Sequence, residues 1–269
     1  MTRIETRLRV MSWNLWWQFG PWEQRLPAIA ATLAAVDADV FALQEVWEDG
    51  TRNQAAELSD RLGYHHVYAS RLDLNGVQMG NAVLSRWPIE SHDFMPLPAP
   101  PDADELRTVV RADIDGPRGT VQVFSTHLNW RFDQSHVRQK QVAAIAKFVH
   151  DSPLRTYPPV LCGDFNAVPD SDEIRMLTGR AELPVPKLVF HDSWEAAVER
   201  EDGPGFTWSN DNTFAKEDLE PNRRIDYVFV GWPKKEGAGH VLRSAVVGTE
   251  AVDGRQPSDH YGVLAELRY

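Results

Sequence analysis

The chain has one cysteine, Cys162, in 269 residues, so no intramolecular disulfide can form. A reducing cytoplasm is the default setting for such a chain. No apolar run reaches the roughly 18 residues needed to cross a bilayer, so no transmembrane segment is expected. The segment Met1–Arg9 is charged and leads straight into a strand-like stretch with no apolar h-region, so no signal peptide is expected. Internal repeats, low-complexity tracts and Gly/Ser-rich linkers are all missing, and one domain over residues 1–269 is the expectation. The nearest thing to a linker is Pro96–Asp104, whose prolines 96, 98, 100 and 101 read as a rigid surface loop. Positive charge is scarce. The 28 Lys and Arg face 39 Asp and Glu, a net charge of −11. Such a surface repels polyanions at long range and disfavours tight non-specific nucleic-acid binding, although a local arginine patch or a bound divalent cation reverses the sign near a site.

Apolar residues, at 42 %, and charged residues, at 25 %, are in the proportions of a folded globular protein and exclude a disordered chain. Apolar runs predict strands at Leu8–Asn14, Asp39–Gln44, Ala82–Ser85, Thr108–Ile114, Thr120–Thr126, Pro159–Cys162, Ile225–Val230 and Tyr261–Leu267. Helical spacing predicts helices over Arg25–Val36, Asn53–Leu62 and Asp133–His150. Strands outnumber helices, and several follow one another with no helix between. That excludes a doubly wound parallel sheet and favours two mixed sheets covered by helices.

Polar residues collect where these apolar strands end. Asn14, Glu45 and His127 close three of them. Asp164 and Asn166 follow a fourth, Asp226 opens a fifth, and Asp259-His260 precedes the last. Loops at strand ends can converge above a rigid sheet, so one pocket can hold all eight side chains. Carboxylates, amides and two imidazoles without a thiolate suit Mg²⁺ or Mn²⁺. A cation of that kind on an acidic cluster is the usual partner of phosphate chemistry.

The motifs Trp13-Asn14, Gln44-Glu45, Thr126-His127-Leu128, Gly163-Asp164-Phe165-Asn166, Arg224-Ile225-Asp226-Tyr227 and Ser258-Asp259-His260 occur in the order found in the endonuclease/exonuclease/phosphatase superfamily. The chain resembles that superfamily from Val10 to Tyr269. Its members include deoxyribonuclease-like enzymes, abasic-site endonucleases, neutral sphingomyelinases, deadenylases and inositol-polyphosphate phosphatases. The resemblance implies a four-layer α/β sandwich, two mixed β-sheets packed face to face and flanked by helices. It also implies a divalent-metal-dependent phosphoesterase.

On the resemblance, Glu45 is the principal metal ligand, Asn14 lies beside metal and phosphate, and Asp259 supports the metal or its water. Left to local chemistry, Glu45 reads as a surface carboxylate and Asn14 as a cap after the first strand. Strand period puts Asp164 and Asn166 on one side, with Phe165 turned into the core. Asp164 would orient or deprotonate water and Asn166 would donate to a phosphoryl oxygen; the bland reading is an Asx turn. His260 would stabilise phosphoryl charge, with Asp226 orienting its ring and raising its pKa. His127 is a second imidazole where abasic endonucleases carry tyrosine, so the chain looks less like a repair enzyme of that type. Asn81 resembles the family's glycine–asparagine strand. Arg107 would contact phosphate or brace Glu45, or be a solvated edge charge. His65, His66, His92, His136, His150, His191 and His240 lack such context and read as structural, and Cys162 as an inert core thiol.

The ten tryptophans leave the substrate open. Trp16, Trp17, Trp47, Trp130 and Trp208 adjoin site motifs, where indoles stack on a base or pack on a lipid or choline group, or else fill the core. Three readings follow: a hydrolase of a small or lipid-like phosphodiester, a deoxyribonuclease-like endonuclease, and a catalytically silent binding scaffold. Net charge favours the first over the second. An intact Glu45, Asp164, Asn166 and His260 set speaks against the third. No protein partner can be inferred.

Overall fold

The structure is a computed structural model that describes residues 6–100, 103, 106–153 and 155–269. Met1–Glu5, and Pro101, Asp102 and Asp104 of the proline-rich loop, lie outside the described residues. The strands are β1 (Arg7–Asn14), β2 (Val40–Glu48), β3 (His65–Leu74), β4 (Val77–Ser85), β5 (Ile89–Pro96), β6 (Thr108–Gly116), β7 (Gly119–His127), β8 (Val160–Asp164), β9 (Phe190–Asp192), β10 (Glu199–Arg200), β11 (Asp226–Gly231), β12 (Val241–Val247) and β13 (Gly262–Arg268). The helices are α1 (Trp22–Val36), α2 (Gln54–Leu62), α3 (Ser135–Asp151), α4 (Asp172–Thr178) and the single turn α5 (Ser193–Ala196).

Among the described residues the strands form two mixed sheets. One has the order β10-β12-β13-β1-β2-β4-β3 and the other β5-β6-β7-β8-β11-β9. Three apolar clusters define four layers. Leu8, Val10, Val40, Ala42, Val83, Val110, Val123, Val160, Val228 and Val263 meet between the sheets. Met11, Trp13, Phe41 and Leu43, on the opposite faces of β1 and β2, pack under Ile29 and Leu33 of α1 and Leu58 of α2. Phe124, Leu161 and Phe229 pack under Val142 and Ile145 of α3 and Ile174 of α4. Side chains alternate across a strand, so even-numbered residues of β1 face the seam and odd ones face a helix. The expected four-layer sandwich is the fold observed.

The strands that sequence pattern passes over are β3, β5, β9, β10 and β12. β3 and β5 are sheet edges, and β5 is exposed along most of its length. An edge strand half in water carries polar residues and shows no apolar run. β4 is longer than the expected Ala82–Ser85 because it pairs with β2 back to Gln78 and with β3 back to Val77. The predicted third helix begins as a 3₁₀ turn at Phe132–Gln134 and becomes α-helical at Ser135.

Candidate active site

The inner face of the sandwich is apolar along most of each strand and polar at one end. In β1, Val10 gives way to Ser12 and Asn14; in β7, Val123 to Ser125 and His127; in β8, Cys162 to Asp164. In β11, reading backwards, Val228 gives way to Asp226. Period two carries each polar side chain into the same seam that the valines fill. Strand register then sets them side by side. Asp226 and His127 are the partners of Asp164 in β11 and β7, and Asn14 stands beside Gln44 in the facing sheet. Gln44 Nε2 reaches across to Ser125 Oγ at 3.0 Å and ties the two sheets together at this end.

Glu45 enters by a different device. The pairing of β2 with β4 slips between Leu43 and Val46, and Glu45 adopts φ +52°. An extra residue in a strand re-aims its side chain, and bulges occur next to functional sites. Strict alternation would have sent Glu45 toward the helices, but the bulge leaves its carboxylate 3.8 Å from His127 Nδ1. Its Oε2 is buried and has no hydrogen-bond partner.

His260 Nδ1 lies 2.9 Å from Asp226 Oδ2, and its Nε2 lies 3.7 Å from Asp164 Oδ2. Burial pushes the imidazole pKa down, but Asp226, Asp164 and Asp259 outweigh it and hold the group up at about 10. His260 is therefore a cation at neutral pH. His127 is equally buried and shifts the other way. Burial, then the charges of Arg107 and His260, keep its pKa well below the ordinary value. Arg107 Nη1 stands 2.9 Å from His127 Nδ1. A guanidinium can only donate, so Nδ1 accepts from Arg107, while Nε2 lies 3.0 Å from the Asn166 amide nitrogen and 3.4 Å from Asp164 Oδ2.

Asn14 and Asn166 are held by the loops they start. Asn14 Nδ2 donates to Asp164 Oδ2 at 3.1 Å, while its Oδ1 accepts from Trp16 N at 2.9 Å. The Asn14 carbonyl accepts from Ser258 Oγ at 2.7 Å. Asn166, at φ +50°, donates its backbone N–H to Asp164 Oδ1 at 2.9 Å. The Asx turn and the site position therefore coexist in these residues. Phe165 is fully buried beneath α3 and α4, as strand period predicts.

These groups surround a cleft of about 340 Å³. Glu45, Arg107, His127, Asp164, Asn166, Trp208, Asp259 and His260 line it, and Asn14 and Asp226 lie directly behind. Trp208 meets the His260 ring edge-on with centroids 5.0 Å apart. Asn81 is not on the cleft wall. It lines a small space behind Glu45, Arg107 and His127, where its Nδ2 donates to the Thr108 carbonyl at 2.9 Å. The tryptophans divide: Trp13 and Trp47 are fully buried, whereas Trp16, Trp130 and Trp208 face the cleft.

Arg25 escapes notice in the sequence. It is fully buried and donates to the carbonyls of Leu15, Trp16, Trp17, Phe19 and Pro257 at 2.7–3.1 Å. It thereby ties the loop after β1 to the Ser258–His260 segment. The signal was its spacing: Arg25, Ile29 and Leu33 share one helix face, and that face is otherwise core.

The donor set suits a hard divalent cation. Burial first, then the charge of Asp259, raise the Glu45 carboxyl pKa to about 7, and burial raises Asp259 to about 6. Two acidic groups packed together with one orphaned oxygen are what a cation would relieve. Asp164, Asp226 and His260 also bring ligand atoms within 4.8 Å of one another. In that trio His260 Nδ1 pairs with Asp226 Oδ2, while Asp226 Oδ1, like Glu45 Oε2, has no hydrogen-bond partner.

Residues 11–260 match the model of the endonuclease/exonuclease/phosphatase family. The chain belongs to that family. It is 30 % identical over 162 residues to protein angel homolog 2 of Bos taurus, a match covering 56 % of this chain and 30 % of that protein. It is 26 % identical over 256 residues to the inositol phosphosphingolipids phospholipase C of Schizosaccharomyces pombe, covering 82 % of this chain and 59 % of that one. The chain thus spans under two thirds of both relatives. Among solved structures, the mannosyl-6-phosphatase of Bacteroides thetaiotaomicron superposes with a TM-score of 0.76 at 23 % identity, over 97 % of this chain and 100 % of that one. D. rerio TDP2 complexed with single strand DNA product superposes at 0.79 with 20 % identity, over 98 % and 100 %. At such identities the superpositions show the fold. No helix among the described residues is long and apolar enough to cross a membrane.

Proposed function

We propose that this family member is a divalent-metal-dependent phosphodiester hydrolase acting on a small-molecule or lipid-like diester. The observation that carries the reading is the arrangement around Asp164. A buried imidazolium–carboxylate pair, His260–Asp226, faces it on one side, and the cleft is also lined by Glu45, whose Oε2 has no hydrogen-bond partner. Glu45 and Asp259 would hold Mg²⁺ or Mn²⁺, with a second lone pair of Asn14 Oδ1 available as a further donor. Bound there, the cation supplies neutralisation of phosphoryl charge.

The chain's own groups do the rest. Asp164, deprotonated and anchored by Asn14 and the Asn166 N–H, takes the proton of a water attacking in line. The Asn166 side chain borders the cleft with its amide nitrogen against the Leu128 carbonyl and His127 Nε2, and would donate to a phosphoryl oxygen by turning from His127. His260 N–H donates to a developing oxyanion, and Asp226 keeps that ring charged and oriented. Neutral His127 stands on the opposite wall, held at Nδ1 by Arg107. Trp208 walls the substrate beside His260, and Asn81 steadies the Thr108 backbone behind Arg107. The products are a phosphomonoester and an alcohol.

The test is hydrolysis of bis(p-nitrophenyl) phosphate with Mg²⁺ or Mn²⁺. Turnover abolished by EDTA and by Glu45→Gln is the expected result, and turnover that survives Glu45→Gln would overturn the metal assignment. Plasmid nicking measured alongside separates the small-substrate reading from an endonuclease, which would nick at rates comparable to the model diester.

A further inference from the structure

Beside the cleft lies a second cavity of about 330 Å³. Phe19, Glu45, Arg107 and Trp130 line both spaces, so they are two lobes separated by shared side chains. The remaining walls of the second lobe are Leu72, Leu74 and Met79 from the β3–β4 hairpin. The hairpin is built to present them. Asn75 and Gly76 both take positive φ at its tip, the backbone an Asn-Gly turn of this kind requires. Its register slips between Ser70 and Leu72, and Ser70 Oγ closes the slip by donating to the Met79 carbonyl at 2.6 Å. Leu72 then stands opposite Met79, and Leu74 lies two residues on along the same face.

The surface around the lobe is unusual for an acidic protein. Phe19 is 42 % exposed and Trp130 46 %, and both stand at its mouth. Large apolar groups gathered at one place on a surface mark a binding site. Among the described residues that line the lobe, the charged ones are Glu45 and Arg107, at the junction with the main cleft. A cavity of this size lies within the range of small-molecule pockets, roughly 300–1,000 Å³.

Resting on the hydrolase reading above, we propose that this lobe binds an apolar alkyl or aryl ester group of the substrate. The phosphorus then stays in the main cleft with the ester group passing the Glu45–Arg107 junction into the lobe, and the lobe determines specificity. A polar ester group such as a sugar would leave its hydroxyls against leucine, methionine and aromatic walls without partners. An alkyl or aryl group loses nothing there and gains the burial.

The test is calorimetric binding of methyl-, n-hexyl- and phenylphosphonate to the whole chain in Mg²⁺, which needs no turnover. Hexyl- or phenylphosphonate should bind about tenfold or more tightly than methylphosphonate, a gap of a few buried methylenes. The better of the two tells a chain from a ring. In Leu74→Asp and, on the opposite wall, in the half-exposed Phe19→Ser, the ratio should fall to within about twofold. Because the ratio is taken within each variant, a partly unfolded preparation cannot imitate the result. Equal affinities in the wild-type chain overturn the proposal, as does a preference that survives both variants. Equal affinities with metal-dependent turnover intact sink the lobe alone. A clear preference with no turnover of any diester sinks the hydrolase reading and leaves the apolar site standing.

Discussion

His260 and His127 face the same carboxylate from two sides, and both are buried to within a few per cent of complete enclosure. Yet one is held at about 10 and the other well below its ordinary value. Burial acts on both in the same direction. The difference is the partner: His260 has Asp226 against Nδ1, whereas His127 has Arg107 in that place. The charged neighbours of each ring, carboxylates around His260 and Arg107 with His260 itself around His127, thus decide which wall of the cleft carries a charged ring and which a neutral one. Position in the sequence does not separate these two histidines, since each ends or precedes a strand next to an acidic motif.

The strongest way to break the contrast is Asp226→Asn, which takes away the charge that distinguishes His260. We expect kcat/KM to fall by about 10²–10⁴, the usual worth of a positioned acid or base. The alkaline limb of the pH profile should also move down from near pH 10 toward ordinary histidine values. A profile that keeps its alkaline limb would show that His260 is not the group titrating.

Arg25→Met acts on one wall only. It strips donors from five carbonyls that join the loop after β1 to the His260 segment, and should cost about 3 kcal/mol or more by chemical unfolding. Any residual activity should then show a disturbed His260 limb while His127 stays held by Arg107. A loss under about 1 kcal/mol would mean that water replaces the guanidinium.

The acidic side can be read by stability without catalysis. The Glu45 pKa is raised to about 7 in the fold from 4.5, so its ionised form is the disfavoured one there. Stability is lost as pH climbs from the unfolded value through about 7, and His260 adds a further loss between 6.5 and about 10. A divalent cation meets the ionised carboxylates, so Mg²⁺ should raise Tm at pH 8 by about 5 °C near saturation and by much less at pH 5. Glu45→Gln should abolish that increment. An equal rise at both pH values would detach the effect from these carboxylates.

The smallest effect is expected from Arg107→Gln. The substitution leaves an amide able to donate to His127 Nδ1 but removes a charge. His127 should become easier to protonate, giving a new acid-side inflection in the pH profile with less than about a tenfold change in kcat/KM at pH 8. A larger loss would make Arg107 a direct phosphate ligand.

Much of the site was readable along the chain because strand period is short-range physics. Val10, Ser12 and Asn14, or Val228 and Asp226, share a face by backbone geometry alone, whatever the strands pack against. That is why polar residues ending apolar strands pointed to one pocket, and why Phe165 was expected in the core. Asn81 shows the limit. Its parity places it on the inner face, but the position of Arg107 just before β6 and of Thr108 at its start sets it behind the cleft wall. Glu45 shows another limit, since alternation alone sends it outward and only a bulge brings it in. The edge strands β3 and β5 were unreadable for the reason that makes them edges: half of each faces water, so neither presents an apolar run. With β3 went the apolar lobe, because Leu72 and Leu74 become neighbours of Glu45 only through the pairing of β3 with β4.

The sequence by itself determined which side chains of the regular strands face the seam, Glu45 at its bulge excepted, the oxygen-rich chemistry they offer and the layered fold that follows from apolar period. These are consequences of local backbone geometry and side-chain type. The tertiary structure alone decided which strand ends stand adjacent, setting His127 and Asp226 on either side of Asp164. It alone gave two similar histidines opposite charge preferences and left Glu45 Oε2 without a partner. Those outcomes depend on electrostatics over a few ångströms between residues far apart in the chain, and that proximity exists only once the two sheets have closed on each other.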